Sequence, residues 1–213
     1  MTSPLVIHGD SSVVLPPQFF GSIAYYALLA SYRHVYIHDG MRFDKRFKST
    51  HRTTIADTRG ILDLTVPVTK PHSSSQATWN DISVSPHGAW WNVHLTAFES
   101  SYGRTPFFEF YIDSLMPVFG AGVCGRPITE LDALADETVR KLLYLDNEVT
   151  HLNERDIPDH AADMRQTIPD TTLHHQYYQV RAGKLGFISG LSILDLLFNI
   201  GPEAPLYLKK LIG

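Results

Sequence analysis

"SVVLPPQFFGSIAYYALLASYRHVYIH", residues 12–38, changes its pattern twice within 27 positions. Ser12 to Leu15 is a short apolar run halted by Pro16-Pro17, Ser22 to Ser31 reads as a helix, and Val35 to His38 returns to strand composition. A strand, a helix and a strand in so short a span begin a sheet with a crossover helix. The chain is therefore read as α/β, with one domain over residues 1–213, a mixed sheet and helices packed on it.

Working outward, His51 to Ile55 and Ile61 to Val68 form a predicted hairpin around DTRG, where Asp57 and Gly60 suit a turn. Lys70 to Thr78 is loop by composition, and Asp81 to Val84 is a short strand. In the aromatic-rich stretch from Trp90, the residues Trp91, Leu95, Phe98 and Tyr102 share one helical face, expected to be core. Trp90, His94, Ala97 and Ser101 form the adjacent stripe, expected at the margin of a site. Further helices are predicted over Phe107 to Phe119 and from a capping box at Thr129 to about Leu145, the latter with Leu131, Leu134, Ala135, Thr138 and Leu142 inward. Val149 to Leu152 is a strand candidate, and Asn153 to Thr172 is polar, broken by Pro158 and Pro169 and read as irregular. The apolar run after Gly186 is a helix ending at Gly201-Pro202.

A composition of 44% hydrophobic and 19% charged residues is that of a folded protein. The net charge of −4 and the lack of a basic run argue against nucleic acid as a partner. No stretch of about 18 apolar residues and no leader pattern is present, so no membrane insertion and a cytoplasmic location are expected. With Cys124 the sole cysteine no intrachain disulfide forms.

Eleven histidines raise the question of metal. The spacings argue against it: there is no H-E-x-x-H or cysteine pair, and His174-His175 are adjacent, so no metal site is assigned. GFISG misplaces its glycines for a nucleophile elbow around Ser189. Asp195, set between leucines, must be paired if buried, and is read first as a residue that fixes a neighbouring loop. The glycine-rich phosphate loops are missing, which weakens an ATP-dependent ligase, but phosphate can be held by side chains. Lys45, Arg46, Lys48, His51 and Arg52, interleaved with Phe43 and Phe47, form the richest cationic cluster.

LPPQFFGSIAYYALL, VYIHDGMRFDKRFKSTHRT, LDLTVPVTKP, SSYGRTPFFEFY and YYQVRAGKLGFISGLSILDLLFNIGPEA, in that order, resemble the WbqC-like proteins, with LSILDLLFNIGPE the most specific piece. The resemblance implies a role in O-antigen or other surface-polysaccharide biosynthesis, as a transferase of glycine or another small acyl group to an amino sugar. A non-catalytic sugar- or nucleotide-binding accessory protein is the alternative. It directs weight to Phe43, Lys45 and Arg52, to His94 and Tyr102, and to Tyr178, Gln179, Asp195 and Asn199. One departure is Thr50-His51-Arg52, where relatives commonly carry an Asn-Arg pair.

Acyl transfer to an amine needs a base, oxyanion donors and cations for phosphate. The candidates are His94 as the catalytic base and Lys45, Arg52, Phe43, Trp90, Tyr102 and Asp195 as substrate-binding residues. The substrate would be a small molecule, a nucleotide-linked amino sugar. His94 reads equally as a core-edge histidine satisfied by a carbonyl. Cofactor and oligomeric state stay open.

Overall fold

The computed structural model describes residues 8–72, 76–153, 157–166, 168, 172 and 175–212. The opening unit forms as read: β1 (His8–Leu15), α1 (Ile23–Ala30) and β2 (Tyr32–His38), with β1 and β2 paired in parallel, Val13 opposite Val35. Helix α1 starts where the Ser22 hydroxyl accepts the Tyr25 N–H at 3.1 Å, which satisfies an N-terminal donor the helix cannot use itself. It is apolar almost all round and all but one of its residues are buried, as such helices must be.

The hairpin also forms, β3 (Arg52–Asp57) against β4 (Gly60–Thr65). The Asp57 carboxylate accepts the N–H groups of Arg59 and Gly60 and fixes the turn. Short strands β5 (Val68–Thr69) and β6 (Ser83–Val84) pair antiparallel. Then follow α2 (Trp90–Tyr102), α3 (Phe108–Leu115), α4 (Ile128–Leu142), β7 (Glu148–Leu152), β8 (Ala162–Asp163), α5 (Ala182–Leu185), α6 (Ile193–Ile200) and α7 (Ala204–Ile212).

The fold is α/β. Parallel and antiparallel pairing both occur but in separate sheets: the main sheet, ordered β7-β2-β1-β8, is parallel throughout, and antiparallel pairs are confined to the two small sheets. Strand β8 falls inside the segment read as irregular and closes the sheet beside β1. The stretch over 169–171 and His174 lies outside the described residues.

Two helix readings are corrected. On α2 the buried residues are Trp90, His94, Phe98, Ser101 and Tyr102: Phe98 and Tyr102 are core as read, Trp91 and Leu95 are only half-buried, and Trp90, His94 and Ser101 of the stripe assigned to the site margin are core instead. The cause is the ring box that receives it: Phe19, Trp90, Phe98 and Phe119 surround His94 at centroid distances of 5.0 to 6.3 Å. Helix α4 begins after Pro127, and Thr129 lies inside it, donating its hydroxyl to Asn80 at 2.7 Å instead of capping. Its buried face includes Asp132, Asp136 and Val139, and Leu134, Thr138 and Leu142 are only partly covered.

The N-termini of α1 and α6 are stitched side by side: Ile23 N–H donates to the Leu191 carbonyl and Ile193 N–H to that of Gly21. Between them Phe20 has φ of 44°, a conformation that costs a non-glycine residue on the order of 1 kcal/mol or more. It is held there because its carbonyl accepts both the Thr53 and Ser192 hydroxyls while its ring stacks on Phe119.

Candidate anion-binding cleft

Strand β1 runs into Pro16-Pro17-Gln18, β2 into Asp39, and β8 into Met164-Arg165. The chain goes from β1 to β2 on one side, and β8 lies on the other, so their carboxyl ends flank a switch point in strand order. Open parallel sheets present a crevice for ligands at such points. Two connected pockets occupy this one, of about 430 and 1350 Å³. The smaller is bordered by Gln18, Ser22, Arg52, Thr54, Asp63 and Ser192. The larger is bordered by His38, Met41, Phe43 and Lys45. Phe47, Lys48, Ser49, Arg165 and Gln166 border both and mark the neck where they meet.

Charge in the cleft is predominantly positive. Arg52, at the start of β3, donates its Nε to the Thr65 hydroxyl at 2.9 Å and an Nη to Asp63 at 2.8 Å; Asp63 in turn accepts the Thr54 hydroxyl at 2.8 Å. Arg165 is held by a two-pronged pair with Asp163, 2.9 and 2.7 Å, which lowers that carboxyl to about 2. A further Arg165 N–H donates to His38 Nδ1 at 2.8 Å. Because guanidinium only donates, His38 is the neutral tautomer with its proton on Nε2. Lys45 and Lys48 form no ion pair among the described residues. The field shows at His51, half-buried beside them, which burial and then Lys48, Arg52 and Lys70 depress to about 4.

The sequence-predicted residues divide into three groups. Phe43, Lys45 and Arg52 meet at the cleft. The Phe43 ring meets Trp79 edge-on and has the Lys70 ammonium 4.8 Å from its centre. His94 and Trp90 lie in the aromatic core, 1% and 3% exposed, and neither borders the cleft. His94 Nε2 donates to the Thr65 carbonyl at 3.3 Å, and burial lowers its pKa to about 4. Thr65 is also the residue whose hydroxyl holds Arg52, so His94 stands behind the cleft wall.

Tyr102 and Asp195 form the third group. The Tyr102 hydroxyl accepts the Ala56 N–H at 3.1 Å and donates to Asp195 at 2.8 Å. Asp195 also accepts the Tyr177 hydroxyl in a very short bond and the Gln179 amide at 3.3 Å. Burial raises its pKa, and the bonds from Tyr177, Tyr102 and Gln179 act against that rise. Gln179 completes the clamp by bonding the Ile188 backbone on both sides, so Asp195 fixes the segment before α6.

Gln18, His38, Asp63 and Arg165 were not picked out by sequence reading, and Lys48 was noted only within the basic stretch. Gln18 follows a proline pair after a strand, which is a readable signal; Arg165 depends on β8, which is not. Among the described residues no group of three His, Cys, Asp or Glu side chains is placed to hold a metal, and no helix is long and apolar enough to cross a membrane.

The molecule is thus an α/β protein with a cationic cleft at the carboxyl end of a small parallel sheet. The chain matches the WbqC-like protein family over residues 16–184 and belongs to it. That span includes every cleft residue up to Arg165 and Gln166, but stops before α6. The uncharacterized protein Rv1507c of Mycobacterium tuberculosis is 26% identical over 222 residues, covering 87% of this chain and 91% of its own. No solved structure matches.

Proposed function

We propose that the protein binds a nucleotide-linked amino sugar in the cationic cleft and transfers glycine or another small acyl group to it in surface-polysaccharide biosynthesis. The observation that carries the reading is the convergence of Lys45, Lys48, Arg52 and Arg165 on one cleft at a sheet switch point. With no glycine-rich loop, these side chains supply the phosphate contacts, Arg52 by its planar fork and the lysines as point charges. Phe43 and Phe47 offer apolar surface to the rest of the ligand. His94 serves as a positioning residue, acting through Thr65 on Arg52, rather than as the base.

The position of His94 gives specific support to the second reading, a sugar- or nucleotide-binding accessory protein without transfer. Thermal shift with UDP-, dTDP- and GDP-linked amino sugars, glycine, ATP and folate derivatives tests the cleft, since a ligand of the native state raises Tm by mass action. A nucleotide-sugar shift diminished by Lys45→Ala or Arg52→Ala supports it, and a mass-shift assay on that ligand with acyl donors separates transferase from binder. Dependence of turnover on ATP and Mg²⁺ would instead indicate a ligase. No shift from any compound would overturn the reading.

A further inference from the structure

Resting on that reading, we infer the orientation of the ligand: its glycosyl end occupies the smaller pocket, its diphosphate the neck, flanked by Arg52 on the smaller side and Lys45 on the larger, and its nucleoside the larger pocket, with Asp63 as the residue that reads the amine of the sugar. The neck sets the first point. Of its two cations, Arg165 is held by Asp163, whereas Lys48 forms no ion pair among the described residues and is left to meet a phosphate.

The two sides of the neck then differ in chemistry. The smaller pocket presents the Gln18 amide, which has no hydrogen bond among the described residues, together with the Thr54 hydroxyl and Asp63, none of which borders the larger. A side-chain amide, a hydroxyl and a carboxylate are the groups that a polyhydroxylated ring requires. Its volume, about 430 Å³, is that of a small-molecule pocket. The larger pocket, about three times the volume, is bordered by Met41 and Phe43, a wall suited to a flat base, and by the charged Arg42, Asp44, Lys45 and Arg46, which suit the polar edge of a nucleotide.

Asp63 is the one carboxylate bordering the smaller pocket among the described residues. One oxygen accepts from Arg52 and the other from Thr54, so the group is fixed before a ligand arrives, and each carboxylate oxygen retains acceptor capacity. An ammonium at that place gains a charge-assisted bond that a hydroxyl does not. Gly21 leaves room for the Gln18 amide where it stands: a β-carbon there would lie 2.8 Å from the Gln18 side-chain oxygen and equally close to the Tyr25 ring.

Calorimetric titration of the full chain with UDP, dTDP and their glucose and glucosamine adducts tests the orientation. The wild type is expected to favour the glucosamine adduct over the glucose adduct by about tenfold. Asp63→Asn should erase that preference, read as the ratio of the glucosamine to the glucose adduct within each variant so that a change shared through Arg52 cancels; Gln18→Ala should weaken both adducts and spare the diphosphates. If Asp63→Asn fails to fold, the Gln18→Ala contrast alone decides. Preference that survives Asp63→Asn, or a Gln18→Ala loss shared equally by adduct and diphosphate, would overturn the orientation while leaving the cleft reading intact. No binding of any of these compounds to the wild type would overturn both.

Discussion

The cleft and the Asp195 cluster are both built of polar residues around the hairpin and α6, and they differ in what satisfies those residues. Asp195, 1% exposed, is met by two tyrosines and a glutamine of this chain. Lys45 and Lys48 border the pocket of about 1350 Å³, Lys48 the smaller one as well, and neither has an ion partner among the described residues. A buried charge must be neutralised or hydrogen-bonded for the chain to fold, so its partners are structural. A cation left without a carboxylate beside a cavity costs the fold little and is available to a ligand. The difference separates residues that resemble one another in sequence as polar points in apolar runs.

The largest expected effect lies on the closed side. Asp195→Ala strands the hydroxyls of Tyr102 and Tyr177 and should cost about 3 kcal/mol in urea unfolding. Lost ligand affinity at unchanged stability would instead place Asp195 with the cleft and break the contrast.

Next in size is a pH effect at the boundary between the two regions. The folded protein holds His94 near pKa 4 against an unfolded value of about 6.5. Between those values the unfolded chain binds the additional proton, so stability is full above pH 6.5 and falls as pH drops towards 4, by up to about 3 kcal/mol. His51, depressed to the same level but half-exposed, adds a smaller loss of the same sign. His94→Gln should remove most of the dependence in that window, measured as the difference between variant and wild-type unfolding curves. Nucleotide-sugar affinity should largely survive. Turnover abolished at full affinity would restore the ring as a base.

How far each region could be read from sequence follows from the range of the forces that form it. The β1-α1-β2 unit and the β3-β4 hairpin rest on local pattern, a serine cap and an aspartate turn, and so were legible. Strand β8 has two residues and exists only by pairing with β1, some 150 positions earlier in the chain. No local pattern announces it, and Arg165 and the switch point went unseen with it. The face of α2 was half misjudged, right at Phe98 and Tyr102, because hydropathy ranks Trp91 and Leu95 above His94 and Ser101. A histidine with one carbonyl partner and four aromatic neighbours is nevertheless a good core residue. Arg52 and Lys45 were reached because the cationic stretch is contiguous and the resemblance to the WbqC-like proteins directs weight to it.

On the open side, Arg52→Ala should weaken nucleotide-sugar binding by about tenfold and, because Asp63 and Thr65 lose a partner, lower stability by about 1 kcal/mol.

Lys45 gives the smallest and most discriminating effect. Its ammonium makes no ion pair among the described residues, so Lys45→Ala removes a charge that the folded protein does not use. Surface substitutions of that kind shift stability by within about 0.5 kcal/mol. A phosphate contact from an exposed lysine is worth about threefold to tenfold in affinity and is screened by salt. Titration at low and high ionic strength should therefore show the wild type losing affinity with salt more steeply than Lys45→Ala, while their unfolding curves coincide. Equal losses of stability and of binding would mean that the lysine is part of the scaffold after all, and the line drawn between the two regions would then have to run through the cleft itself.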